Sequence, residues 1–328
     1  MKSHTSRRTF LKRSAAASLS VPLVRSLEEY ALAEQQTSAT PTFPPACSKG
    51  TVPMGKIGNV QISRLICGGN LISGYAHSRD LIYVSPLLKH YFSDEKVMET
   101  WSLCEQHGVN TMILHPSNAA EARLYEKYRA RGGKIQYLAQ IAPKKDEIAT
   151  EVKKAKDAGA IGAFLLGNFS DEWSRDGDIK TIGEFLAAVK KENLICGVAG
   201  HEVRSVMAVE KAGLGPDFYM KTLHSENYWS KRRPDQLKDV IDNYGVDNYW
   251  CKDPKETVAF MSEVRRPWIA YKVLAAGAIH PKVGFKHAFD SGADFVAVGM
   301  FDFQIAENGT VINEVVKVTQ NRDREWFA

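Results

Sequence analysis

Three of the nine histidines in the chain stand where apolar runs end. His115 closes NTMILH (110–115), His201 follows LICGVAG (194–200), and His224 closes DFYMKTLH (217–224). A histidine at the end of a buried strand can move a proton to or from a substrate, because imidazole titrates near working pH. Glu202 follows His201 directly. Three histidines and a carboxylate also have the composition of a catalytic divalent-metal centre with a position left open for water or substrate. The chain shows no local HExxH pattern, so any convergence of His115, His201, Glu202 and His224 has to come from the fold.

Lysine offers a different chemistry. Lys221 lies inside DFYMKTLH and Lys272 inside WIAYKVLAAG (268–277). A pair of this kind suits a Schiff-base aldolase, in which one cation lowers the pKa of a neighbouring nucleophilic amine. A buried lysine must otherwise be paired or neutral. Paired glycosidase-type carboxylates are not evident, since Glu202 and Asp302 are the acids found at such run ends.

These residues need a scaffold, and the pattern supplies one. Eight apolar runs recur beyond residue 54: 62–69, 110–115, 135–142, 160–167, 194–200, 217–224, 268–277 and 294–301. Helix-patterned segments separate them; SDEKVMETWSLCEQHG opens on a serine cap with early acids and closes on glycine. Near-continuous apolar strands alternating with amphipathic helices predict a parallel sheet covered by helices, and eight repeats predict closure into a (β/α)8 TIM barrel. The alternative, an open doubly wound sheet, lacks a GxGxxG turn after its first strand. In a barrel the chemistry sits at the C-terminal strand ends. Those ends read Asn70, His115, Gln140, Asn168, His201 with Glu202, His224, Lys272 and Asp302.

The order of the pieces, from about residue 52 to 316, resembles the aldo/keto reductase family. MGKIGNVQISRLICGG, GVAGH, IAYKVLAAG and VGMFDFQIAENGTVINEVV carry the resemblance. It implies a barrel whose floor is closed by a hairpin, and an NAD(P) cofactor whose adenosine end is wrapped by Gln304, Glu307 and Asn308. Loops after the last two strands commonly bind phosphate in barrels. Ala275, Ala276, Gly277 and Gly299 are small enough for backbone N–H groups to approach one, with Lys272 adding charge. The family's catalytic Asp, Tyr, Lys and His fall here on Ile113, Asn118, Gln140 and Gly167, so all four are replaced. The resemblance therefore implies altered chemistry: a histidine, His115 or His224, as proton partner for hydride transfer in place of the tyrosine. The alternatives are a metal-dependent lyase, isomerase or hydrolase, the Lys221 aldolase, and a binding barrel without catalysis.

The remaining sequence bounds the setting. The 328 residues carry a net charge of +5, but Lys2, Arg7, Arg8, Lys12, Arg13 and Arg25 oppose only Glu28 and Glu29 in residues 1–33. The rest is close to neutral, which removes the support for a nucleic-acid partner. SRRTFLK (6–12) resembles a twin-arginine export signal, and the small apolar run after it is too short to span a bilayer. The expected organisation is a signal at 1–33, a linker at 34–53 and a barrel at 54–328. Export by the twin-arginine machinery to the periplasm or beyond follows, without stable membrane insertion. The five cysteines fit no zinc motif or disulfide framework, and Cys67, Cys104, Cys196 and Cys251 are expected as buried thiols. Loops at 71–92 and 225–252 are rich in aromatic, amide and hydroxyl groups, which suit a small sugar-like or carbonyl substrate.

Overall fold

A hairpin comes first: β1 (Met54–Ile57) pairs antiparallel with β2 (Val60–Ser63) around Gly58, whose positive φ a two-residue hairpin turn favours. The computed structural model describes residues 52–75, 81–228, 231, 251, 253–319 and 322–328. These residues belong to one compact unit, 43–328. The export signal at 1–33, linker residues 34–51 with Cys47, and most of segment 225–252 lie outside the described residues.

Eight parallel strands then close a barrel, as the repeat pattern predicts. They are β3 (Leu65–Cys67), β4 (Thr111–Leu114), β5 (Gln136–Ile141), β6 (Gly162–Leu165), β7 (Ile195–Gly200), β8 (Phe218–Thr222), β9 (Trp268–Tyr271) and β10 (Phe295–Val298). Each pairs with the next in sequence, and β10 returns to β3 through Val296–Leu65 and Val298–Cys67. The first apolar run was longer than its strand. Ile62 and Ser63 finish the hairpin, and only Leu65–Cys67 enters the barrel.

The helices cover the outside: α1 (Val84–Tyr91), α2 (Asp94–Gln106), α3 (Ala119–Ala130), α4 (Ile148–Asp157), α5 (Gly167–Arg175), α6 (Ile179–Lys191), α7 (Val203–Lys211), α8 (Pro254–Glu263), α9 (Pro281–Asp290) and α10 (Ile305–Val318). Local chemistry starts them. Ser93 caps α2, Asn118 caps α3, Asp178 caps α6, and prolines open α8 and α9, where a missing N–H costs nothing. Segment 71–92, read as loop from its polar and aromatic content, contains α1. Pro86 lies in the first turn, where it is tolerated, and Leu88 is buried. None of the described helices is long and apolar enough to cross a membrane.

Side-chain alternation sorts the core into two layers. Ile66, Ile113, Leu138, Phe164, Ala199, Phe218, Met220, Ile269, Phe295 and Ala297 fill the barrel, with Ile57 and Ile62 of the hairpin beneath them. The intervening residues, such as Cys67, Met112, Cys196 and Tyr219, face the helices. The four described cysteines are buried free thiols, as expected.

The barrel floor is held by a buried charge cluster. Asp294, fully buried before β10, accepts from Arg322 and Arg324 at 2.9 Å each and from the backbone N–H groups of Trp268 and Phe327. Arg324 spends its other N–H groups on the carbonyls of Met261, Gly292, Val264 and Arg266. Removing one partner strands two buried guanidinium groups, so Asp294→Ala is expected to cost about 3–5 kcal/mol. Urea unfolding of the variant checks this, and a loss below about 1 kcal/mol would contradict the assignment.

Candidate active site at the barrel mouth

One further step of inward alternation, past the filled interior, reaches Gly68, His115, Gln140, His201, Thr222, Tyr271 and Gly299. The mouth is thus lined from strands on every side. The predicted residues nevertheless separate into groups.

His201 is the best organised of them. It is 7 % exposed, and its Nδ1 lies 2.9 Å from Oδ2 of Asp171, a wholly buried carboxylate on α5. Asp171 also accepts from the backbone N–H groups of His201 at 2.8 Å and Glu202 at 3.3 Å, and from the Ser205 hydroxyl. An ionised carboxylate only accepts, so Nδ1 carries the proton and Nε2 presents its lone pair. Nε2 has no hydrogen-bond partner among the described residues. Burial lowers the imidazole pKa below 6.5, Asp171 opposes that shift, and the charges of Lys272 and Lys221 add to it.

Tyr271 crosses to the same place from β9. Its ring meets the His201 ring edge-on, with centroids 5.6 Å apart. A methyl group on Gly167, which opens α5, would stand 2.9 Å from the Tyr271 hydroxyl and 2.9 Å from His201 Cε1. Gly167 occupies the position where the family resemblance expects a histidine. Here the imidazole arrives from the next strand, and the glycine makes room for it. The Tyr271 hydroxyl is buried without a hydrogen-bond partner among the described residues, and burial holds its pKa well above the ordinary phenol value.

The other histidines do not join this pair. His224 is locked by backbone: Nε2 accepts from Cys251 N–H at 2.7 Å, and Nδ1 donates to the Ser225 carbonyl at 3.0 Å. Burial lowers its pKa to about 4. Neither nitrogen is left for a metal or a substrate. His115 ends β4, its ring tilted against Tyr75 and its backbone N–H bonded to Glu121. Its Nε2 is buried without a partner among the described residues, and burial lowers its pKa. Glu202 begins α7 and makes no side-chain cap. Among the described residues no three His, Cys, Asp or Glu side chains are placed to hold a metal ion. The metal reading of His115, His201, Glu202 and His224 therefore has no ligand set here.

Lys221 is likewise corrected as a nucleophile. It alternates with Tyr219 and Leu223 on the helix-facing side, is 0 % exposed, and donates to the carbonyl and hydroxyl of Thr222.

The expected cofactor residues divide in the same way. Gln304 turns its Oε1 back to accept from Phe301 N–H, and Asn308 is 2 % exposed under α10. Glu307 is exposed, 4.0 Å from His280. The adenosine wrap implied by the resemblance is thus not formed by Gln304 and Asn308. On the phosphate side, the N–H groups of Ala275 and Gly277 already donate to the carbonyls of Lys272 and Leu274. Lys272, Ala275, Ala276 and Gly277 all have positive φ, and a Cβ on Gly277 would meet nothing within 4 Å. Strained backbone of this kind clusters at functional sites. Gly299 is partly filled, since a Cβ there would approach Leu71 at 3.0 Å.

Sequence reasoning missed Asp171 and Tyr271. Asp171 carried one signal: in GNFSDEWS it shares the inward face of a helix with Gly167 and Ser170, where an acid is out of place. Tyr271 was visible in IAYKVL, but its role depends on which strand it faces.

No family model matches the chain, and no curated protein matches it in sequence. Similar solved structures do exist. One, described as a "putative aldo-keto reductase" from Pseudomonas aeruginosa, is 14% identical with a TM-score of 0.53, covering 82% of this chain and 98% of its own. A second of the same description and organism is 15% identical, with a TM-score of 0.52 and the same coverage. At this identity the likeness establishes the shared barrel fold.

Proposed function

We propose that the chain is an oxidoreductase-type barrel enzyme acting on a small carbonyl or sugar-like substrate, with His201, oriented by Asp171, as its proton partner. The observation that carries this reading is the buried Asp171–His201 dyad at the end of β7, with Nε2 left unbonded. Fixing one tautomer and one ring orientation is what a histidine general acid or base requires. When bound, a nicotinamide dinucleotide supplies or accepts the hydride. Lys272, beside the left-handed turn at Ala275–Gly277, would add positive charge at its phosphates.

The chain's own residues then divide the work. In the direction from alcohol to carbonyl, neutral His201 accepts the hydroxyl proton at Nε2, and Asp171 stabilises the resulting imidazolium through Nδ1–H. In the reverse direction the imidazolium returns that proton to the oxygen. The buried site excludes competing water. Export through SRRTFLK is part of the same reading, and a fusion of residues 1–53 to a reporter tests it by twin-arginine-dependent transport.

The central test monitors nicotinamide absorbance with the purified chain, NADH or NADPH, and a panel of small aldehydes, hydroxyketones and sugars. His201→Ala is expected to lose about 100-fold or more in kcat/KM while keeping its circular dichroism spectrum. Wild-type protein that neither binds nor oxidises nicotinamide with any of these substrates would refute the reading.

The pH dependence follows from the lowered His201 pKa. A base must be unprotonated, and a depressed pKa keeps it so across neutral pH. Alcohol oxidation is therefore expected to stay level around pH 7 and to fall only as pH drops below the ordinary histidine value of 6.5. A rate that instead climbs steadily from pH 6.5 to pH 9 would point to another base.

A further inference from the structure

The two oxygens of Asp171 are divided between two parts of the chain. Oδ2 receives both donors of His201, its backbone N–H at 2.8 Å and Nδ1 at 2.9 Å. Oδ1 faces the start of α7, where it accepts from Glu202 N–H at 3.3 Å and from the Ser205 hydroxyl. The amide contact is long, so the hydroxyl is the principal donor on that oxygen. Ser205 stands in the first turn of α7 at 1 % exposure. A helical serine commonly returns its hydroxyl to a carbonyl about one turn back. Ser205 donates instead to a carboxylate on another helix. Part of that bond's work is structural, since Glu202 makes no side-chain cap and Asp171 stands in for one at the positive end of α7. Charge adds a second consequence. A donor on Oδ1 draws negative charge toward itself and leaves less for the imidazole on Oδ2.

We propose that Ser205 is a positioning residue for His201: by holding Oδ1 of Asp171 it limits the carboxylate charge that reaches the imidazole and keeps the ring a base. This rests on the reading of His201 as proton partner. Other groups bear on the ring as well. They are Asp171 from α5, Lys221 from β8, the Tyr271 ring from β9, and Lys272 just beyond that strand. Burial and the two lysines favour the neutral imidazole, and Asp171 works against them. Ser205 acts on Asp171, the group in this set that favours the imidazolium. A neutral His201 can take a proton from a substrate, whereas an imidazolium held by an unshared carboxylate could not. Removing the hydroxyl leaves the ring, its two bonds to Oδ2 and both lysines unchanged in kind, so the effect travels through one oxygen.

The test follows the His201 imidazole itself, by NMR titration of the full chain carrying isotope-labelled histidine, without substrate or cofactor. His201→Ala identifies its signal. Ser205→Ala is expected to raise the pH at which His201 titrates by about 0.5 pH unit or more, since the unshared carboxylate favours the imidazolium. Asp171→Asn is expected to lower it. In Ser205→Ala/Asp171→Asn the serine should add no further shift, because it acts through the carboxylate. In turnover, the acid limb of alcohol oxidation by Ser205→Ala should move to higher pH by the same amount. A Ser205→Ala chain that is less stable yet titrates like wild type has lost a helix cap and nothing more, and the inference fails. A downward shift, a shift of equal size with and without the Asp171 carboxylate, or a chain that no longer folds would overturn it as well. Where Asp171→Asn does not fold, the Ser205→Ala titration alone decides. Should wild type neither bind nor oxidise nicotinamide, the proposed redox function fails, while the titration still settles the role of Ser205.

Discussion

The mouth of this barrel is organised by one buried carboxylate. Asp171 has no solvent, and such a group is tolerable only when its oxygens are filled with donors. It collects them from the turn after β7, two backbone N–H groups and an imidazole, and from Ser205 on α7. Ser170, its neighbour on α5, donates to the carbonyls of Gly167 and Ala199. Together these bonds join the start of α5 to the end of β7. The ring of His201 is thereby fixed by the same interactions that hold the backbone, and its orientation is a consequence of folding.

Gly167 is the second condition. A side chain there would overlap both the His201 ring and the Tyr271 hydroxyl. The glycine at one strand end and the histidine at the next are therefore matched, the volume left by the missing side chain being taken by the imidazole and the Tyr271 hydroxyl.

Much of this was legible in the sequence because it depends on periodicity. Eight apolar runs with amphipathic segments between them gave closure of the sheet, while the interior set from Ile66 to Ala297 emerged only in the structure. His201 was visible as a polar residue at a strand end. What periodicity cannot show is how a side chain is spent. His224 and Gln304 have the composition of functional groups, but the backbone N–H groups of Cys251 and Phe301 consume their acceptors. Asn308 has the right identity on the wrong face of its helix. Lys221 lies one residue out of the inward alternation, enough to place it under the helices. Asp171 was overlooked because its four donors come from another strand and another helix, about thirty residues away.

Both ends of the barrel bury polar groups. At the floor, Asp294 and its arginines form a network in which the carboxylate accepts from both guanidinium groups and Arg324 donates to four carbonyls. That network holds the closing strand and the C-terminal tail, although Arg322 Nε and Trp326 Nε1 have no partner among the described residues. At the mouth, among the described residues, the Tyr271 hydroxyl and His115 Nε2 are buried without partners, and His201 Nε2 is unbonded. Leaving donors and acceptors unmade is destabilising. Under the proposed reading, a substrate completes the His201 acceptor. An inert binding barrel would also need such a ligand. Under the proposed reading, what separates an enzyme from that alternative is the carboxylate behind His201, which holds one tautomer and stabilises the imidazolium formed when a proton moves.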